Sequence, residues 1–139
     1  MVTNPTDQLP TLITDEDGYS VFTTASWPGE QRGGLLLSPQ IGASSFRLRT
    51  SQTDYTADWH VSGEPTLIVV RRGTLRIGLR DGTHRDFSAG DAFVAADCVV
   101  EGDTFNPDIH GHNSAAIADE PLHAFQIKLA DRQTTHNPV

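Results

Sequence analysis

The stretch Thr66-Leu67-Ile68-Val69-Val70-Arg71-Arg72-Gly73-Thr74-Leu75-Arg76-Ile77-Gly78-Leu79-Arg80-Asp81-Gly82 decides how the rest of the chain is read. It opens on an unbroken apolar run, the pattern of a strand covered on both faces. Arg71-Arg72-Gly73 stops that run. Leu75, Ile77 and Leu79 then alternate with Arg76, Gly78 and Arg80, the period of a strand with one buried face. Asp81-Gly82 is a hairpin turn signal. Arg85-Asp86-Phe87 forms the return strand, and Ser88-Ala89-Gly90-Asp91 makes a second turn.

Outward from this hairpin the same language continues. Residues 44–50 alternate, with Phe46 and Leu48 on one face and Ser45, Arg47 and Arg49 on the other. Residues 54–62 form a strand that puts Asp58, His60 and Ser62 on one side and Trp59 and Val61 on the other. Downstream, 92–96 is a strand and 97–111 a loop rich in Asp, Gly, Asn and Pro. Residues 112–118 align His112, Ser114, Ala116 and Ala118. In the last strand, 122–129, the face with His123, Phe125, Ile127 and Leu129 is apolar apart from its histidine. Shorter strands are expected at 19–24 and 35–37. Residues 1–18 read as loop, because Pro5, Pro10 and Asp15-Glu16-Asp17-Gly18 break any pattern. The tail 131–139 is polar and reads as frayed. No segment carries a helical period. The expectation is an all-β, single-domain sandwich or barrel.

Composition narrows the function classes. A chain of 139 residues suits one domain, and 37% hydrophobic residues suffice for one core. Ten basic residues face eighteen acidic ones, for a net charge of −8. Such a chain repels phosphate backbones, and no basic cluster exceeds Arg71-Arg72, so nucleic acid is not an expected partner. Cys98 is the single cysteine, which rules out an internal disulfide framework. It reads as a small buried hydrophobe. No apolar stretch approaches a membrane span, and Met1–Pro10 lacks the charged and apolar regions of a signal peptide. A soluble cytoplasmic protein is expected.

Several landmarks together resemble the cupin family. Gly73 fits the closing glycine of that family's first motif. Counting back from it, Thr66 falls at the glutamate position, Ser62 at the second histidine, His60 at the first and Asp54 at the opening glycine. Gly90-Asp91 fits the start of the second motif. Asp119-Glu120-Pro121 resembles the turn before the last strand in a subgroup of small bacterial cupins, which puts that motif's histidine at His112. Ser45-Phe46-Arg47-Leu48-Arg49 and Asp58-Trp59-His60 resemble the same subgroup's run into its first histidine. The resemblance spans residues 35–129. It implies a jelly-roll β-barrel of antiparallel strands over 35–130, preceded by loop and short strands in 1–34 that exchange with a second copy in a homodimer. It also implies a divalent metal, of the iron, manganese, nickel, copper or zinc kind, although only His60 survives of the first motif's ligands. Residues 98–111 are then an insertion beside the second ligand position, either a lid or substrate-shaping loop or a tolerated surface insertion.

The candidate site follows from these positions. His60 and His112 project inward in a cupin barrel, and His110 points the same way if the strand starts early. A third metal ligand would be His110 or a carboxylate such as Asp58 or Glu101. Without metal, Asp58 and His60 lie two apart on one strand, where a carboxylate beside an imidazole makes an acid–base pair. Against this, His60 and His123 also read as satisfied core histidines, and Asp58 as a turn cap. His84 and His136 read as solvent-facing. Arg47 and Arg49 share a face and suit a bidentate clamp on a carboxylate or phosphate, or else a solvated sheet face or dimer contact. Ser62, Thr66, Tyr55 and His123 complete the expected substrate pocket, with Trp27 and Trp59 as further aromatic wall. Two functional readings stand together. One is an enzyme of lyase, isomerase or oxygenase type acting on a small organic ligand, and the other is a non-catalytic small-molecule binder with a regulatory or structural role.

Overall fold

The computed structural model describes residues 5–130, so the expectations for the tail and for His136 lie outside the described residues. Every regular element in that range is a strand: β1 Pro5–Thr14, β2 Ser20–Pro28, β3 Glu30–Arg32, β4 Leu35–Leu37, β5 Ala43–Ser51, β6 Thr56–His60, β7 Thr66–Arg72, β8 Thr74–Gly78, β9 His84–Ser88, β10 Ala92–Ala95, β11 His112–Ala116 and β12 Leu122–Leu129. Among the described residues no helix is long and apolar enough to cross a membrane.

The strands form a six-stranded sheet ordered β2-β1-β10-β7-β12-β5, a four-stranded sheet ordered β6-β11-β8-β9, and a small β3-β4 hairpin. Period-two patterning explains the two larger sheets. In β7 the residues Thr66, Ile68 and Val70 are buried, and in β8 Leu75 and Ile77 are. Phe87 of β9, Phe93 of β10, Leu122 and Ala124 of β12 and Leu12 of β1 meet them in one cluster between the sheets. Each fully buried aliphatic or aromatic side chain of this kind stabilises the fold by about 1.5–3 kcal/mol. The apolar side chains on the other face of β12 serve differently: Leu129 and Ile127 join a second, smaller cluster with Val94 and Ala96. Phe125 packs edge-on against Phe46, with ring centroids 5.3 Å apart, and Phe46 and Leu48 stay exposed.

Two expectations are corrected. Residues 1–18 are not all loop: β1 pairs along β2 and contributes Leu12, with no exposed surface, to the core. The prolines that argued against a strand are tolerated because β1 meets β10 only at Thr11 and Leu12. Pro10 thus removes no donor from that second ladder. Nor are the strands antiparallel throughout, since β1 and β10 run parallel, Thr11 opposite Val94 and Leu12 opposite Ala95.

Candidate functional site

A cavity of about 820 Å³ opens between the two sheets. Its walls come from β5, β7, β10 and β12 on one side and from β8 and β11 on the other, with the end of β6 also lining it. The sequence places His60 and His112 there for a simple reason. They are direct cross-strand partners in the β6–β11 pair, and their rings lie 4.4 Å apart, centroid to centroid, at 54°.

That approach depends on Gly111. Its φ is +91°, and a Cβ built there would come within 2.6 Å of the His60 carbonyl oxygen. We therefore expect Gly111→Ala to lose roughly 1–3 kcal/mol from the backbone conformation alone, and more from the collision with His60. Gly102 has the same φ of +91° but open space around it. Urea unfolding of Gly102→Ala beside Gly111→Ala separates the two contributions, and equal losses would show that the close approach carries no energy.

Both imidazoles are oriented by their Nδ1 atoms. Nδ1 of His60 lies 2.6 Å from the backbone oxygen of Asp58, and a carbonyl can only accept, so Nδ1 carries the proton. Nδ1 of His112 lies 2.7 Å from Oδ2 of Asp97. An ionised carboxylate likewise only accepts. In the neutral rings both Nε2 atoms are consequently left with free lone pairs.

Asp97 is the hub of the site. It has no exposed surface, yet it accepts from the Ser20 hydroxyl at 2.7 Å, from the Ser62 amide at 3.0 Å and from His112. Burial pushes its carboxyl up, but the hydrogen bond and charge of His112, with the bonds from Ser20 and Ser62, outweigh it and hold the carboxyl below its usual range. The sequence reading passed over this residue. Its only signal was position, two residues beyond the end of β10.

The other expected residues divide sharply. Arg47, Arg49, Tyr55, Ser62 and Thr66 line the cavity with the two histidines. Arg49 is held by its Nε–H bond to Ser51 Oγ at 3.0 Å and lies 5.0 Å over the Tyr55 ring. Thr66 directs its hydroxyl to the Glu64 carbonyl at 3.1 Å. Asp58 is not brought to the site: it is exposed, and its carboxylate accepts from the Trp59 amide. The expected Asp58–His60 acid–base pair is corrected to a backbone contact. His110 is turned away as well, its Nδ1 accepting from the Asn106 amide at 2.8 Å. His123 lies outside the cavity beside Thr50, because the inward face of β12 is Leu122, Ala124, Gln126 and Lys128, one residue out of phase with the expected apolar face. Trp59 lies under the Arg80 guanidinium at 3.8 Å, and neither it nor Trp27 lines the cavity. Gln126 and Lys128, which the sequence reading missed, do line it.

Loop 98–111 does not roof the cavity either. Arg80 ties it down by donating to the carbonyls of Pro107 and His110 at 2.6 and 2.7 Å, and Thr14 and Cys98 exchange two hydrogen bonds at its start. Among the described residues no three of His, Cys, Asp and Glu gather as a metal set, and Glu101 stands exposed in the loop.

No protein-family model matches the chain, and no curated protein matches it.

Proposed function

We propose that this chain is a small enzyme of cupin architecture that moves a proton on a small organic molecule, in the manner of an isomerase or lyase. The observation that carries the reading is the His60–His112 pair, two adjacent imidazoles that line the cavity with both Nδ1 atoms engaged. The two rings are not equivalent. His112 is backed by a buried carboxylate, which stabilises the imidazolium formed when Nε2 accepts a proton. His60 is backed only by a carbonyl. In this reading His112 Nε2 removes a proton from carbon next to a carbonyl, and the electron pair moves onto the carbonyl oxygen. His60, when it carries a second proton, donates from Nε2 to that oxygen.

The order of strands and the positions of His60 and His112 support the cupin assignment. The resident metal that the resemblance implies fits less well. Two imidazoles fall short of the three protein ligands that catalytic sites use, and Ser62 and Thr66 stand where further ligands would be. No step is therefore assigned to a metal, and the acid–base reading rests on the chain's own side chains.

Solvent exchange tests this. The protein is incubated with a panel of α-keto and β-keto acids in heavy water, and loss of the carbon-bound proton is followed by NMR. Exchange above background is expected, falling by about 100- to 10,000-fold in His112→Gln. A keto acid that binds without exchanging would favour the non-catalytic binder, and exchange undiminished in the variant would overturn the role of His112.

A further inference from the structure

The charge of the cavity is opposite to that of the protein. The chain has eighteen acidic residues against ten basic ones. Its lining nevertheless contains Arg47, Arg49 and Lys128 and, among the described residues, no aspartate or glutamate. A lining recruited at random from this composition would carry more carboxylates than cations. Resting on the cavity proposed above, we infer that its natural ligand is an organic carboxylate with a short apolar body, bound head-outward.

The placement of Arg47 between Arg49 on its own strand and Lys128 diagonally across on β12 makes one cationic strip along the cavity. Arg47 and Arg49 are two apart on β5 and face the same way. Arg47 is the cross-strand partner of Gln126, and Lys128 lies on the same face of β12, two residues further along. Diagonal neighbours on adjacent strands are about 7–8 Å apart, within reach of long side chains. Opposite Arg49 stands Ala124, which leaves room above the guanidinium. Three like charges on one sheet face repel one another, and an anion relieves that repulsion. Among the described residues, the ion pair that any of the three makes is Lys128 with Glu64 at 3.8 Å, and both side chains are exposed, so water screens it heavily.

The rest of the cavity selects the body of the ligand. Ile68, Leu75, Ile77 and Phe93 form its deep wall, each 7% exposed or less. An inorganic anion gains nothing from such a wall, whereas a hydrocarbon segment does. His60 and His112 line the same cavity from β6 and β11. A ligand held by its carboxylate at the opening therefore presents its inner carbons to the two Nε2 atoms. Arg49, fixed by Ser51 and the Tyr55 ring, is the orienting contact, and Arg47 and Lys128 are the adaptable ones.

Calorimetry decides the point. Linear carboxylates from butyrate to octanoate are titrated into the protein beside the matched alcohols and amines and inorganic phosphate. A carboxylate is expected to bind at least about tenfold more tightly than its alcohol, with the amine and phosphate weaker still. Arg47→Gln with Arg49→Gln should remove that preference, and Arg47→Gln alone, at the exposed one of the two positions, should weaken it with the unfolding temperature in place. His112→Gln should keep it, which separates this inference from the acid–base reading: binding that survives in His112→Gln without proton exchange retains the ligand class and loses only the chemistry. Equal binding of alcohol and carboxylate, phosphate binding as tightly as octanoate, an unaffected arginine double variant, or no binding across the whole panel would each overturn it.

Discussion

Asp97→Ala will remove about 3–5 kcal/mol of folding free energy, because it leaves three donors around a buried position without their acceptor, at about 1–3 kcal/mol each. The carboxylate has no exposed surface and three polar partners, and alanine would leave Ser20 Oγ, the Ser62 amide and His112 Nδ1 without an acceptor. Urea unfolding at neutral pH measures the loss, and a change under about 1 kcal/mol would show that water replaces the carboxylate at little cost. The sign of the acid response follows from the same contacts. The folded carboxyl lies below its ordinary value of 3.8, so it contributes stability above that value and loses it as pH falls through the lower folded one. Wild-type stability should therefore drop on the acid side of 3.8 more steeply than that of Asp97→Asn, which starts lower and has no carboxyl to titrate there.

Phe93→Ala will cost a similar amount, about 3–5 kcal/mol, for an unrelated reason. Phe93 is fully buried, stacks on Phe87 with centroids 4.1 Å apart and meets the edge of Phe22 at 6.4 Å. It is also part of the deep wall of the cavity, so the space left by truncation joins that cavity. Phe93→Leu keeps most of the volume and should lose markedly less. Chemical denaturation of both variants provides the comparison. A Phe93→Ala protein as stable as Phe93→Leu would mean that the aromatic stack between the sheets is not part of the core.

Most of the strand pattern was legible, because period-two alternation is a local property. The hairpin Thr74–Gly78 to His84–Ser88 and the run Thr66–Arg72 follow from neighbours in sequence. The failures share a cause that sequence does not display, namely which face of a strand is covered. In β12 the apolar set Phe125, Ile127 and Leu129 looked like the inward face, but it packs on the outer side and on the second cluster. Gln126 and Lys128 point into the cavity instead. A polar inward face is the mark of a binding cavity, where a local hydrophobicity rule fails for functional reasons. β1 escaped notice because its prolines are harmless only where its second edge is unpaired, which pairing with β10 decides.

The site was legible in its centre and not in its support. His60 was identified from its spacing to Gly73 and His112 from its spacing to the Asp119-Glu120-Pro121 turn, whereas Asp97 lies fifteen residues from the histidine it holds. Asp58 was favoured over it because it shares a strand with His60. Proximity in sequence was misleading here: Asp58 orients His60 through its backbone oxygen and keeps its carboxylate in solvent.

Long-range proton–nitrogen NMR of the histidine side chains tests the centre of this account most directly. At a pH where both rings are neutral, His60 and His112 should each carry their proton on Nδ1, and Asp97→Asn should alter the pattern of His112 while leaving that of His60 unchanged. A proton on Nε2 of neutral His112 in the wild-type protein would contradict the account, since that nitrogen could then no longer accept a proton from a ligand in the cavity.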